Sequence, residues 1–139
     1  MRKNFLFTVL FFFLVLGVQA QVLQFKPGEI FKIVQFTDVH FKPNVAASDT
    51  AIILIKEVLE NEKPDFVVFT GDVAWAKPAK ECFDAALAPV IEKGIPWAYV
   101  NGNHDDEQGW NRTQIMDYLV AQPHSMARHG DKNLKGEGN

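Results

Sequence analysis

Three short strings hold the residues able to do chemistry: Asp38-Val39-His40, Gly71-Asp72 and Gly102-Asn103-His104-Asp105. Each follows an apolar run, Phe31–Phe36, Phe66–Phe69 and Trp97–Val100 respectively. In open α/β sheets, ligand groups sit just past the carboxyl ends of the strands. Asp38, Asp72 and Asn103 all fall there. Asp38 and His40 are two residues apart at a strand end, so a carboxylate and an imidazole can share one borderline divalent metal. Gly71 lets the backbone bend so that Asp72 reaches inward, and its two oxygens can bridge a pair of cations. Asn103 offers an amide oxygen to a second cation, while Gly102 lets the chain pass close by. Taken singly, each string reads as an ordinary solvated turn. In this order, each after a strand-like run, they read as a metal centre.

The elements that must position these strings follow from the intervening pattern. Gln21–Phe25 alternates as an edge strand, and Lys26-Pro27-Gly28-Glu29 is turn chemistry. The next strand is Ile30–Phe36, so the two are expected to pair as a hairpin. Ser48 or Asp49 is expected to cap a helix running to about Asn61, with Ile52, Ile55, Val58 and Leu59 at helical spacing. Phe66–Phe69 is uninterrupted and apolar, as for a strand buried on both faces. A second helix covers about Ala79–Glu92, with Cys82 on its inner side and Pro89 expected to kink it or end it early. Gly94 stops that unit. Ile95–Val100 is the third core strand, and Asn111 or Thr113 begins a third helix to about Ala121. The order β(β)αβαβα is that of an α/β protein with a largely parallel sheet.

The chain of 139 residues has room for one modest domain. Arg2 and Lys3 precede the apolar block Phe5–Leu16, and Gly17-Val18-Gln19-Ala20 offers small residues where a signal peptidase reads. Residues 1–20 are therefore expected to be a signal peptide, with 21–139 as the mature domain and no stable membrane anchor after cleavage. The rival reading is an uncleaved anchor, but the block is shorter than the ~18 residues usually needed to span a bilayer. Cleavage lowers the formal net charge of −3 by two. That balance argues against a nucleic-acid partner, which would call for a basic patch. The single Cys82 cannot form an internal disulfide and is expected to be a buried, inert thiol. Residues 129–139 are polar and glycine-rich, so the chain reads as interrupted in mid-domain; a frayed natural terminus is the alternative.

With those residues in place, the chain resembles the first half of a calcineurin-like metallophosphoesterase. The resemblance covers about residues 30–107 and rests on three of the family's usual five motifs. It implies a β-sandwich flanked by helices (αββα), with only the first half present. It implies that Asp38 and His40 bind a first metal, that Asp72 bridges both metals and that Asn103 binds the second. By the same resemblance, His104 faces the phosphate and protonates, or hydrogen-bonds to, the leaving oxygen, with Asp105 placed to orient it. The wording FKIVQFTDVHF, PDFVVFTGD and PWAYVNGNHDDE resembles the purple-acid-phosphatase-like branch. The purple enzymes carry a metal-binding Tyr in a Gly-Asp-x-x-Tyr string. Here that position is Trp75, whose indole cannot replace a phenolate, so no tyrosinate–iron colour is expected. Trp75 is left to wall the site or to pack over Lys77.

The fourth and fifth motifs, a Gly-His and a Gly-His-x-His, do not occur. His124 follows Pro123 and His129 precedes its Gly, so both read as loop histidines. The second metal would then have only Asp72 and Asn103 from this chain. The expected function is a secreted or periplasmic, metal-dependent phosphoesterase acting on phosphate mono- or diesters. Two divalent ions (Mn, Fe or Zn) ~3.5–4 Å apart would hold a bridging hydroxide for in-line attack at phosphorus. A non-catalytic α/β binding or structural domain with a partial metal site is the alternative, and a nuclease of the same superfamily fits the acidic charge less well. Asp106-Glu107 reads as a solvated acidic turn, and Trp97 as filling between sheet and helix.

Overall fold

The computed structural model describes residues 23–131 and residue 133. The expected signal peptide and the end of the tail lie outside the described residues. Three strands, β1 (Ile33–Phe36), β2 (Phe66–Phe69) and β3 (Trp97–Tyr99), form a parallel sheet in the order β1-β2-β3. Helix α1 (Ala46–Glu62) crosses from β1 to β2, and α2 (Ala79–Glu92) crosses from β2 to β3. A 3₁₀ turn over Asp105–Gln108 and helix α3 (Arg112–Val120) follow β3. This small α/β unit is what the first half of a metallophosphatase fold provides.

The register fixes the site. Phe36 pairs with Phe69 and Phe69 with Tyr99, so the three strands end in step. The segments that follow them leave the sheet side by side at its carboxyl edge. Val67 and Phe69 are buried completely, whereas Phe66 and Val68 are only half-buried. The expectation of burial on both faces of β2 therefore holds fully for one face. Val67 and Phe69 pack in the core with Phe83, Leu87, Val90, Trp97, Ile115 and Leu119. Burying each such side chain stabilises the fold by roughly 1.5–3 kcal/mol.

Several boundaries differ from the sequence expectation. Residues 23–25 form no ladder with β1, and Gln21 and Val22 lie outside the described residues. The turn itself is made, with Glu29 N–H donating to Lys26 O and Gly28 at φ +82°. The Phe25 and Phe31 rings pack 4.5 Å apart across it, a side-chain contact where a hairpin was expected. Helix α1 starts before Ser48, and neither Ser48 nor Asp49 caps it. The buried Ser48 hydroxyl instead accepts from Lys42 N–H (2.9 Å), which ties the loop after β1 to the helix. Helix α2 runs through Pro89 to Glu92. Pro89 is fully buried, and packing of its ring offsets the one donor that it lacks. Asn111 caps α3 in a reciprocal box with Gln114, the pairing of N-cap and third-residue side chains that satisfies two free donors.

Beyond α3 the chain returns to β3. Trp97 N–H donates to His124 O (3.1 Å) and Met126 N–H to Trp97 O (2.7 Å), while Ser125 bridges Trp97 in parallel. Trp97 is wholly buried between these neighbours and Phe69, as its place in the strand suggested. Among the described residues no helix is long and apolar enough to cross a membrane.

Candidate metal centre

The segments after β1 and β2 go on exchanging hydrogen bonds where the strands stop. Asp38 N–H donates to Gly71 O (3.2 Å), His40 N–H to Asp72 O (3.0 Å) and Phe41 N–H to Val73 O (2.9 Å). Within this ladder Asp38, His40 and Asp72 take left-handed backbone conformations, at φ 53°, 47° and 53°. Each costs a non-glycine residue about 1–2 kcal/mol. Strain of this kind persists where the surroundings impose it and clusters at functional sites.

The strained residues converge. One donor atom from each of Asp38, His40 and Asp72 lies within 4.8 Å of the others. His40 Nε2 is 3.7 Å from Asp72 Oδ2 and 3.9 Å from Asp38 Oδ1. Those distances are too long for hydrogen bonds, and the buried Nε2 atom has no hydrogen-bond partner. A buried imidazole nitrogen left without a partner between two carboxylate oxygens fits a cation held by all three. The mixed oxygen and nitrogen set suits a borderline divalent metal. Asp38 is the open side of the group, and Asp72 the enclosed one.

The loop after β3 closes on Asp72. His104 N–H donates to Asp72 Oδ1 (2.9 Å), which holds the backbone of the exposed Asn103 at the same edge. Gly102 lies so close to Asp72 that a Cβ there would sit 2.1 Å from Asp72 Oδ1. The Trp75 ring stands 4.2 Å from His40 and 4.7 Å from His104, centroid to centroid. Of its two expected places, Trp75 therefore takes the wall of the site. The sequence positions Asp38, His40, Asp72, Asn103 and His104 thus share one edge of the sheet.

Two acidic residues differ from their expected parts. Asp105 does not orient the His104 ring; its buried carboxylate faces backbone donors and the Tyr99 hydroxyl. Glu107 is not merely a solvated turn residue, since its Oε2 lies 3.1 Å from His104 Nδ1. That contact is the main cause that raises the His104 pKa above the ordinary histidine value. The i to i+3 spacing of His104 and Glu107 was the available signal, once a helical turn is assumed there. Asp106 pairs with Arg112 (3.2 Å). His124 lends its carbonyl to β3, and His129 lies 3.1 Å from Asp117, so neither was brought to the centre.

Comparison with known proteins agrees with this arrangement. The calcineurin-like phosphoesterase profile matches residues 31–135. A probable inactive purple acid phosphatase 29 of Arabidopsis thaliana is 33% identical over 91% of this chain and 40% of its own length. Phosphatase DCR2 of Saccharomyces cerevisiae is 36% identical over 77% of this chain and 22% of its own. A probable cyclic nucleotide phosphodiesterase of Psychrobacter arcticus is 32% identical over 70% of this chain and 41% of its own. The chain thus spans well under half the length of these curated relatives. With a family match that runs from β1 past α3 and takes in every residue of the converging group, the chain belongs to the calcineurin-like phosphoesterase family, with purple-acid-phosphatase-like relatives.

Proposed function

We propose that the protein of which this chain forms part is a secreted or periplasmic phosphoesterase that depends on two divalent metal ions. The observation that carries the proposal is the unpartnered His40 Nε2 between the Asp38 and Asp72 carboxylates. Asp38, His40 and Asp72 would hold a first cation, and Asp72 and Asn103 would contribute to a second. Such a centre neutralises charge on the phosphate oxygens and supplies an activated water near neutral pH. His104 donates a proton to the departing alkoxide, and Glu107 Oε2 lies 3.1 Å from its Nδ1. Trp75 flanks both histidine rings, which also meet each other edge-on at 6.4 Å between centroids. The substrate is a phosphate mono- or diester. Secretion is supported by the basic, apolar and small-residue order of residues 1–20.

A second reading, a metal-binding domain without turnover, is favoured by relatives named probable inactive purple acid phosphatases. The test uses the full-length protein and its Asp72→Asn variant. Metal content is measured, and p-nitrophenyl phosphate and bis-p-nitrophenyl phosphate are assayed with added Mn²⁺, Fe²⁺ or Zn²⁺. The proposal expects metal in the native protein, turnover of at least one ester, and most of both lost in Asp72→Asn. Metal without turnover selects the second reading. Full activity and metal content in Asp72→Asn would overturn the bridging role.

A further inference from the structure

Asp105 is fully buried, and its two oxygens accept five hydrogen bonds from three segments of the chain. Oδ2 accepts from Asp72 N–H (2.8 Å), Gly102 N–H (2.9 Å) and the Tyr99 hydroxyl (2.6 Å). Oδ1 accepts from Val73 N–H (2.8 Å) and Ala74 N–H (3.0 Å). The carboxylate therefore joins the end of β3, the loop after β2 and the loop after β3. All five partners donate. A carboxylate, which only accepts, is the side-chain type that meets them all without turning a proton toward a proton. An amide would satisfy one side and repel the other.

The consequence reaches Asp72. Asp105 holds the backbone N–H of Asp72, and His104 N–H holds Asp72 Oδ1. With both fixed, the remaining oxygen, Oδ2, faces His40 Nε2 at 3.7 Å. Gly71 and Gly102 bring the loops into backbone contact, and Asp105 keeps them there. We propose that Asp105 is a positioning residue: it sets the placement of Asp72 against His40 and His104 through the backbone, touching neither substrate nor metal. This inference rests on the metal reading of the site for its effect on affinity, though its effect on the loops is independent of it.

The test uses the full-length protein and three variants, Asp105→Asn, Tyr99→Phe and Val90→Ala. Val90 is buried in α2 away from the centre, so its variant is the control for lost stability alone. Two quantities are read under conditions where each variant is folded: Mn²⁺ affinity by calorimetry, and hydrogen exchange at the amides of residues 72–74 and 102. Asp105→Asn is expected to weaken Mn²⁺ binding roughly 10–100-fold, the usual range for outer residues that orient ligands. It is also expected to accelerate exchange at those four amides. Tyr99→Phe removes one hydroxyl and leaves every backbone donor paired, so it keeps the test decisive should Asp105→Asn fail to fold. Its expected loss is roughly two- to tenfold in affinity, the equivalent of one hydrogen bond. Val90→Ala is expected to leave affinity within about twofold while lowering the melting temperature. Unchanged exchange in both Asp105→Asn and Tyr99→Phe would overturn the positioning role, as would an equal loss of affinity in Val90→Ala. Absence of Mn²⁺ binding by the native protein sinks the metal reading instead, and the exchange data still decide the part played by Asp105.

Discussion

Gly71 and Gly102 meet backbone to backbone: a Cβ on Gly71 would lie 2.4 Å from both the N and the Cα of Gly102. The contact runs the other way too, since a Cβ on Gly102 would meet Asp72 N at 2.3 Å and Asp72 Oδ1 at 2.1 Å. Asp72 N is backbone and cannot swing aside, and Asp72 Oδ1 is held by His104 N–H. Gly102→Ala is therefore expected to move Asp72 and to destabilise the fold by more than ~2 kcal/mol, in the range of buried overpacking. Gly28→Ala is the comparison. Gly28 has positive φ, but nothing lies within 4 Å of its added Cβ, so only the backbone cost of about 1–2 kcal/mol applies. Urea denaturation of both variants measures the difference. Equal losses would mean that the two loops separate freely.

His104 stands at the same edge as the converging group but is not one of its three donors. Replacing it by Gln is expected to leave the metal content of the full-length protein unchanged. Turnover should fall by ~10²–10⁴-fold, the range for loss of a general acid. The loss should be largest for alkyl phosphates, whose leaving oxygens need a proton, and smallest for p-nitrophenyl esters. A uniform loss across leaving groups, or a loss of metal, would assign His104 a different part.

What could be read from the sequence was whatever local chemistry decides. The bounds of β2 and α2 match because an unbroken apolar run and a helical stripe leave little choice over Phe66–Phe69 and Ala79–Glu92. The convergence of Asp38, His40 and Asp72 was legible because parallel strands that end in step deliver their next residues to one place. The start of α1 was misjudged because Ser48 has two possible clients. Capping rules count only the helix N–H groups, whereas the fold gives the hydroxyl to Lys42 N–H. Asp105 was misjudged for a related reason. Its neighbour in sequence is His104, but three of its five donors lie 31 to 33 residues back, and the other two on the end of β3 and in the loop after it. Such a partner set exists only once the sheet has brought the loops together.

Tyr99 gives an alkaline signature. Its phenol is pushed far above the ordinary 10.0, first by burial and then by the charge of Asp105. In the unfolded chain the phenol ionises near 10.0, while in the folded protein it stays neutral. A group raised in this way contributes stability that is fully present below the unfolded pKa and is lost as pH rises above it. The urea midpoint is therefore expected to fall above about pH 10, more steeply in the native protein than in Tyr99→Phe. Phenolate absorbance from Tyr99 should grow in together with unfolding, not before it. Ionisation of Tyr99 ahead of unfolding would show that its contact with Asp105 opens locally.

Cys82 tests the packing of α2 against the rest of the core. It is completely buried, and its Sγ donates to Ala76 O at 3.3 Å, in the loop that leads from the candidate site into the helix. Burial is the largest cause that raises its pKa above the ordinary 9.0, against the lowering effect of the Ala76 contact. Because the thiolate is the nucleophile, a raised pKa and lack of access act in the same direction. Alkylation by iodoacetamide at pH 8 is expected to be at least about a hundredfold slower in the folded protein than in urea, since reaction must wait for the core to open. The rate should rise with urea in parallel with global unfolding, because Cys82 shares its cluster with Phe83, Val90 and Trp97. Rapid alkylation without urea would place the opening in the 75–79 segment alone. Since that segment also carries Trp75, the aromatic wall beside His40 and His104 would then be the mobile part of the site.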